Sequence, residues 1–268
     1  MFWTRFKSSI ILTIITLATI ILGGNVLFSV IYVISLIGLY ELYKVVKMEK
    51  TIPALAGYLA NTAWMFLVFI NKEVTYGMFV VIAFLMVLMC TYVFSFPKYK
   101  VEQVMMSFFG VVYVAVLMSF LYLIRETTAD GMVTIWLVII SSWGCDTCAY
   151  LAGVTMGKHK MTPILSPKKT IEGAIGGIIG TAAIGAIYGL AVGKYVEQIS
   201  NAPVYFAIIC ACAGLVSMVG DLAASAIKRS YDIKDYGKLI PGHGGVLDRF
   251  DSVIFTAPVI YYLIYFIF

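Results

Sequence analysis

The chain has 268 residues, 62% of them hydrophobic and 12% charged, with a formal net charge of +5. So little polar surface cannot clothe a soluble globule of this size, and the composition points to an integral membrane protein. The positive balance is a topology signal first, and an attraction to anionic lipid head groups second.

A helix needs roughly 20 apolar residues to cross about 30 Å of hydrocarbon. Runs of that kind recur nine times, near residues 8–24, 26–46, 53–70, 75–95, 104–124, 131–152, 171–192, 203–226 and 250–267. The first lacks a small-residue cleavage site and leads directly into the second, so it reads as a retained helix. Near the end of the second, Glu41 reads as a partner for a cation or as a snorkelling interfacial group. The fold class expected is an all-α polytopic membrane protein of about nine transmembrane helices. It would form a single membrane-embedded domain over residues 1–268, with motif-poor spans in 1–130 and site-bearing spans in 131–268.

Lys and Arg test the count, because they gather in alternate connections when it is right. One side collects 16, from Arg5 and Lys7 at the start to Lys234, Lys238 and Arg249 near the end, and the other keeps 3, Lys72, Arg125 and Lys194. This places the amino terminus in the cytoplasm and the carboxyl terminus outside. The two longest polar connections, about 153–170 and 227–249, then face the cytoplasm.

The sixth run carries "WGCDTCAY" with Asp146. Its Cys145 and Cys148 form a C-x-x-C with no second pair and no nearby His, so packing explains them better than metal or redox chemistry. In the connection that follows, "LSPKKTIEG" suggests Ser166 as a helix cap, Pro167 at the first helical position, and Lys168 and Lys169 in the first turn. Lysines there oppose the helix dipole unless an anion lies between them, which suggests a phosphate site. The seventh run, with Gly173, Gly177, Gly180, Gly185 and Gly189, has the small-residue spacing of a tightly packed helix.

The eighth run places Asp221 on one face with Ser225 and Lys228, and the ninth opens with Asp248 and Asp251 three residues apart. Acids inside spans are expensive, and the spans offer no buried cations to pair with them. Asp146, Asp221, Asp248 and Asp251 are therefore expected as ligands for Mg2+, a hard cation suited to carboxylate and phosphate oxygens. A second metal ion or a monovalent cation is a further candidate. Residues 238 to 252 read "KLIPGHGGVLDRFDS", where Pro241, Gly242, Gly244 and Gly245 should form an irregular turn that brings backbone close to a ligand. His243 reads either as a phosphate-orienting group or as a turn stabiliser.

The run from Ser225 through Lys228, Arg229, Lys234, Asp235, Ile240, Pro241, Gly242, His243, Gly244, Gly245, Asp248, Arg249 and Asp251 resembles the signature of the phosphatidate cytidylyltransferases, or CDP-diacylglycerol synthases. "WGCDTCAYLAG" and "LSPKKTIEG" resemble that family's other polar segments. The resemblance implies Mg2+-dependent conversion of phosphatidate and CTP to CDP-diacylglycerol and pyrophosphate, in a homodimer whose site opens to cytoplasm and lipid. It makes Asp221, Asp248, Lys228 and Arg249 the expected catalytic residues. Lys168, Lys169, Ser225, Arg229, Lys234, Asp235, Lys238, His243, Gly244 and Gly245 are the expected substrate-binding ones. The localisation implied is the inner membrane, with CTP, phosphatidate and membrane lipids as partners and no role for nucleic acid. The rival readings are a CTP-dependent polyprenol kinase and, behind it, a transporter.

Overall fold

The computed structural model describes residues 2–128, 130–196, 199 and 201–267, with backbone alone at 2–7 and 9. The side chains of Arg5 and Lys7, two of the expected cytoplasmic charges, lie outside that description. Among the described residues the predicted runs are all helical: α1 Phe2–Leu22, α2 Gly24–Val45, α3 Ile52–Phe69 and α4 Glu73–Phe94, then α5 Val101–Thr127 and α6 Gly131–Met156. A hairpin of β1 Lys160–Thr162 and β2 Ser166–Thr170 follows, and α7 Ile171–Val192, α8 Ala202–Ser230 and α9 Leu247–Ile267 complete the order. Eight of these helices are long and apolar enough to cross a membrane, and α1 adds the shorter apolar stretch Ile10–Leu22. The protein is an all-α polytopic membrane protein.

The chain groups into two compact units, one of residues 1–122 and 235–249 and the other of 123–234 and 250–268. In the first, hydrogen bonds supply the specificity that lipid-like surroundings cannot. The fully buried Tyr43 of α2 donates to the Ser107 carbonyl oxygen at 2.9 Å, and Ser107 Oγ donates to the Pro53 carbonyl oxygen at 2.6 Å. Ser35 and Asn61 form a second buried pair between α2 and α3.

In the second unit α7 is the glycine helix, packed on α6 and α8 as its spacing predicts. A Cβ on Gly180 would lie 2.6 Å from Cys148 Sγ, and one on Gly185 would lie 2.7 Å from the Phe206 carbonyl oxygen. The thiol of Cys145 is buried and donates to the Gly214 carbonyl oxygen at 3.5 Å. Cys145 and Cys148 are packing residues.

The expected start of the seventh helix is corrected. Ser166 and Pro167 do not open it, and Lys168 and Lys169 are not in its first turn. These residues form β2, paired antiparallel with β1. The cap is Thr170, whose Oγ1 accepts from the Gly173 N–H at 3.1 Å. The acid answering the helix dipole is Glu172, in the first turn, and its carboxylate also accepts from the Lys158 and His159 N–H groups at 3.0 and 3.2 Å. The hairpin wins because its backbone groups pair with each other and with this carboxylate, which a helix starting at Pro167 would forgo.

We expect Gly185→Val to destabilise the protein by about 1–3 kcal/mol, since backbone of α8 lies in the way and cannot yield as a side chain would. Thermal unfolding in detergent checks this, with the exposed Ile179→Val as a near-neutral control.

Candidate active site

In the second unit three carboxylates arrive from three helices. Asp146 follows a π-helical stretch, Ile140–Gly144, within α6. The extra residue of such a turn rotates everything after it by about 100° relative to an unbroken helix, and so sets where Asp146 points. Asp146 lines a cleft of ≈ 460 Å³ together with Lys160, Lys168 and Lys169 and with Tyr150, Val154, Ala174 and Met218. Cationic and apolar groups thus line one cleft beside Asp146, a composition suited to an anion that carries an apolar tail.

Lys169 Nζ is ion-paired with Asp221, each side chain being about one-quarter exposed, at 24% and 28%. The spans were expected to offer these acids no buried cation; the one ion-paired with Asp221 comes from β2, while Lys228, half-buried near the end of α8, acts electrostatically on Asp251. Asp251 is only 8% exposed, and its Oδ1 accepts from the Ser252 N–H at 2.8 Å. It interacts electrostatically with Asp221, Lys228 and Asp146. Gly220 permits this approach, since a Cβ there would lie 2.9 Å from the Asp251 carbonyl oxygen. Ser225 and Lys228 are half-buried on the following turns of α8, whereas Lys168 and Lys234 are exposed. Arg229 donates to the Ile233 carbonyl oxygen at 3.2 Å, just past the end of its helix.

In the first unit residues 235–249 form a loop and the first turn of α9. His243 N–H donates to the Ile240 carbonyl oxygen at 2.9 Å across Pro241 and Gly242, and Gly242 has φ 80°, which makes this a type II turn. Ile240 N–H donates to the Gly244 carbonyl oxygen at 3.0 Å, closing the loop as expected of its glycines. Gly244 has φ 84°, and a Cβ on it would lie 2.8 Å from Asp248 Oδ2 and 3.3 Å from Asp235 Oδ1. The Ser8 hydroxyl donates to the Pro241 carbonyl oxygen at 3.0 Å and lies 2.9 Å from His243 Nδ1. Lys238 and Arg249 are exposed.

Asp248 is buried, 7% exposed, and its Oδ2 accepts from the Tyr236 and Gly245 N–H groups at 2.8 and 2.9 Å. Asp248, in the first turn of α9, thus reaches back to the Gly245 N–H just ahead of the helix. Glu41 completes the start of α9: Oε1 accepts from the Val246 N–H at 3.0 Å and Oε2 from the Leu247 N–H at 2.8 Å. It is 4% exposed, so it does not snorkel, and its direct partners are backbone N–H groups, with Lys44 acting on it only electrostatically; the expectation for Glu41 is corrected in that respect. Burial leaves its charge needing donors, and the unsatisfied N–H groups of a helix start provide them.

Comparison with known proteins gives these features a family. The description "Cytidylyltransferase family" matches residues 3–267. The chain belongs to this family. It is similar to the phosphatidate cytidylyltransferase of Bacillus subtilis (strain 168), at 30% identity over 97% of this chain and 96% of the relative. It is also similar to the phosphatidate cytidylyltransferases of Staphylococcus haemolyticus (strain JCSC1435) and Staphylococcus aureus (strain COL), each 31% identical over 96% of both chains.

A cytidylyltransferase handles phosphates, for which Mg2+ is the apt ion. Among the described residues no three Asp, Glu, His or Cys side chains converge into a ready metal cage. Mg2+ does not require one, because it is commonly held by one or two carboxylates together with waters and substrate phosphates. The carboxylates of Asp146, Asp221 and Asp251, two of them in a setting with Lys169 or Lys228, fit that mode.

Sequence reasoning misread Glu41 and missed Glu172 and Thr170. An acid inside an apolar run was the available signal for Glu41, and Thr-x-Glu ahead of a glycine helix the signal for the other two. We expect Lys169→Ala to cost between the ~1 kcal/mol of an exposed ion pair and the ~3–5 kcal/mol of a buried one, with a lowered unfolding temperature. Lys168→Ala, at an exposed position of the same strand, should leave that temperature unchanged.

Proposed function

We propose that this chain is a multi-pass phosphatidate cytidylyltransferase, converting phosphatidate and CTP to CDP-diacylglycerol and pyrophosphate. The observation that carries the reading is the extent of the match, since relatives bearing that name align over 96–97% of the chain. The mixed cleft of the second unit supports it, because phosphatidate is itself an anion on an apolar tail.

The attacking group is a phosphatidate oxygen. A phosphate monoester has a second pKa near 6 and is mostly dianionic at neutral pH, so no strong general base is needed. Attack proceeds in line at the α-phosphorus of CTP. The new P–O bond forms as the α,β-bridging P–O bond breaks, and pyrophosphate leaves with that electron pair.

The task of the protein is to bring two anions together and offset charge growing on the leaving group. Lys168, Lys169, Lys228 and Arg249 bind phosphates, with Ser225, Arg229, Lys234, Asp235, Lys238, His243, Gly244 and Gly245 completing substrate contacts. Asp146, Asp221, Asp248 and Asp251 are the carboxylates offered to Mg2+. When bound, Mg2+ supplies Lewis-acid stabilisation of phosphate oxygens and orients them.

The same reading places the protein in the inner membrane as a homodimer, amino terminus and active site toward the cytoplasm and carboxyl terminus outside. The 16-to-3 division of Lys and Arg between alternate connections supports that orientation.

Purified protein in detergent, given phosphatidate, CTP and Mg2+, should yield CDP-diacylglycerol and pyrophosphate in equal amounts, and EDTA should stop both. Release of CDP without liponucleotide would instead identify a CTP-dependent lipid kinase. Asp248→Asn keeps an oxygen that can accept from Tyr236 and Gly245 N–H but loses the charge. Its kcat should fall by about 100-fold or more while the unfolding temperature moves little.

A further inference from the structure

Helix starts are ordinarily capped by a neighbouring side chain. The start of α9 already has such a local acceptor in Asp248, which takes the Gly245 N–H. Glu41 is a second carboxylate at the same place, delivered from α2, 205 and 206 residues away in sequence from the N–H groups it binds.

The loop is shaped around this group. Cβ atoms on Gly237 and Gly245 would both collide with the Glu41 carboxylate, the second at 2.5 Å from each oxygen. Both ends of the loop therefore close on one buried, charged side chain. The two N–H groups it holds belong to Val246 and Leu247, immediately before Asp248 and Arg249. Helix geometry transmits any shift at 246–247 to those two residues, and a displacement of about 1 Å in a reacting constellation can cost 100-fold in rate.

We propose that Glu41 is a positioning residue for cytidylyl transfer, fastening residues 235–249 so that Asp248 and Arg249 are held in register. The inference rests on the function proposed above. It assigns Glu41 no contact with substrate.

The test compares Glu41→Gln, Glu41→Asp and Ser35→Ala with the unaltered protein in detergent. Glu41→Gln keeps one acceptor oxygen and turns an amide NH2 toward an N–H donor, so one of the two bonds is lost. Glu41→Asp keeps charge and both acceptors but falls one methylene short. Ser35→Ala breaks the buried Ser35–Asn61 pair on the same helix and leaves the loop untouched.

We expect kcat/KM per folded enzyme to fall about 10- to 100-fold in Glu41→Gln, with Glu41→Asp recovering part of the loss. Amide exchange across 235–249 should quicken in both. Ser35→Ala should stay within about twofold of the unaltered protein in rate, with exchange across 235–249 unchanged, even where its unfolding temperature drops as far. Wild-type kcat/KM in Glu41→Gln, unchanged exchange across 235–249, or an equal rate loss in Ser35→Ala at matched stability would each overturn the proposal. An inactive unaltered protein would overturn the reaction and this role together. The exchange measurement reports on the fastening alone, so the two failures are distinguishable.

Discussion

A carboxylate removed from water must find hydrogen-bond donors or a cation, and in a chain this apolar both are scarce. Glu41 is met by the N–H groups of Val246 and Leu247, Asp248 by those of Tyr236 and Gly245, and Asp221 by the Lys169 ammonium. Each pairing ties a polar connection to a membrane helix. The polar segments of the chain are ordered because the buried acids hold them.

The same scarcity explains the division of labour in the second unit. Van der Waals packing joins α6, α7 and α8 through glycine and cysteine contacts, with few polar atoms involved. Asp146, Asp221 and Lys169 gather at one end of these helices, where the β-hairpin supplies the lysine that pairs with Asp221. Glu172, by contrast, binds the backbone ahead of its helix, and Arg229 the carbonyl just past the end of its own.

Much of this was legible from the sequence. Hydropathy gave nine helices because the bilayer imposes a length on each, and glycine spacing marked α7 because only small residues permit that approach. The turn at Pro241 and Gly242 was readable because proline and glycine have few other uses at those positions. What escaped was set by partners distant in sequence or by backbone irregularity. Residues 166–170 look like a helix start until β1 pairs with them, and no residue in "ISSWG" announces the π-helical turn that orients Asp146. Glu41 looked interfacial because its donors lie at the far end of the chain, and hydropathy carries no information about which backbone N–H groups lack acceptors.

That distance bears on biosynthesis. α2 enters the membrane early, carrying its carboxylate, while Val246 and Leu247 are still to be translated. Until they emerge, Glu41 must remain hydrated or protonated. The signature loop can therefore take its working form only once almost the whole polypeptide is made, so a prematurely terminated chain, even one inserted with most of its helices in place, would lack an ordered loop.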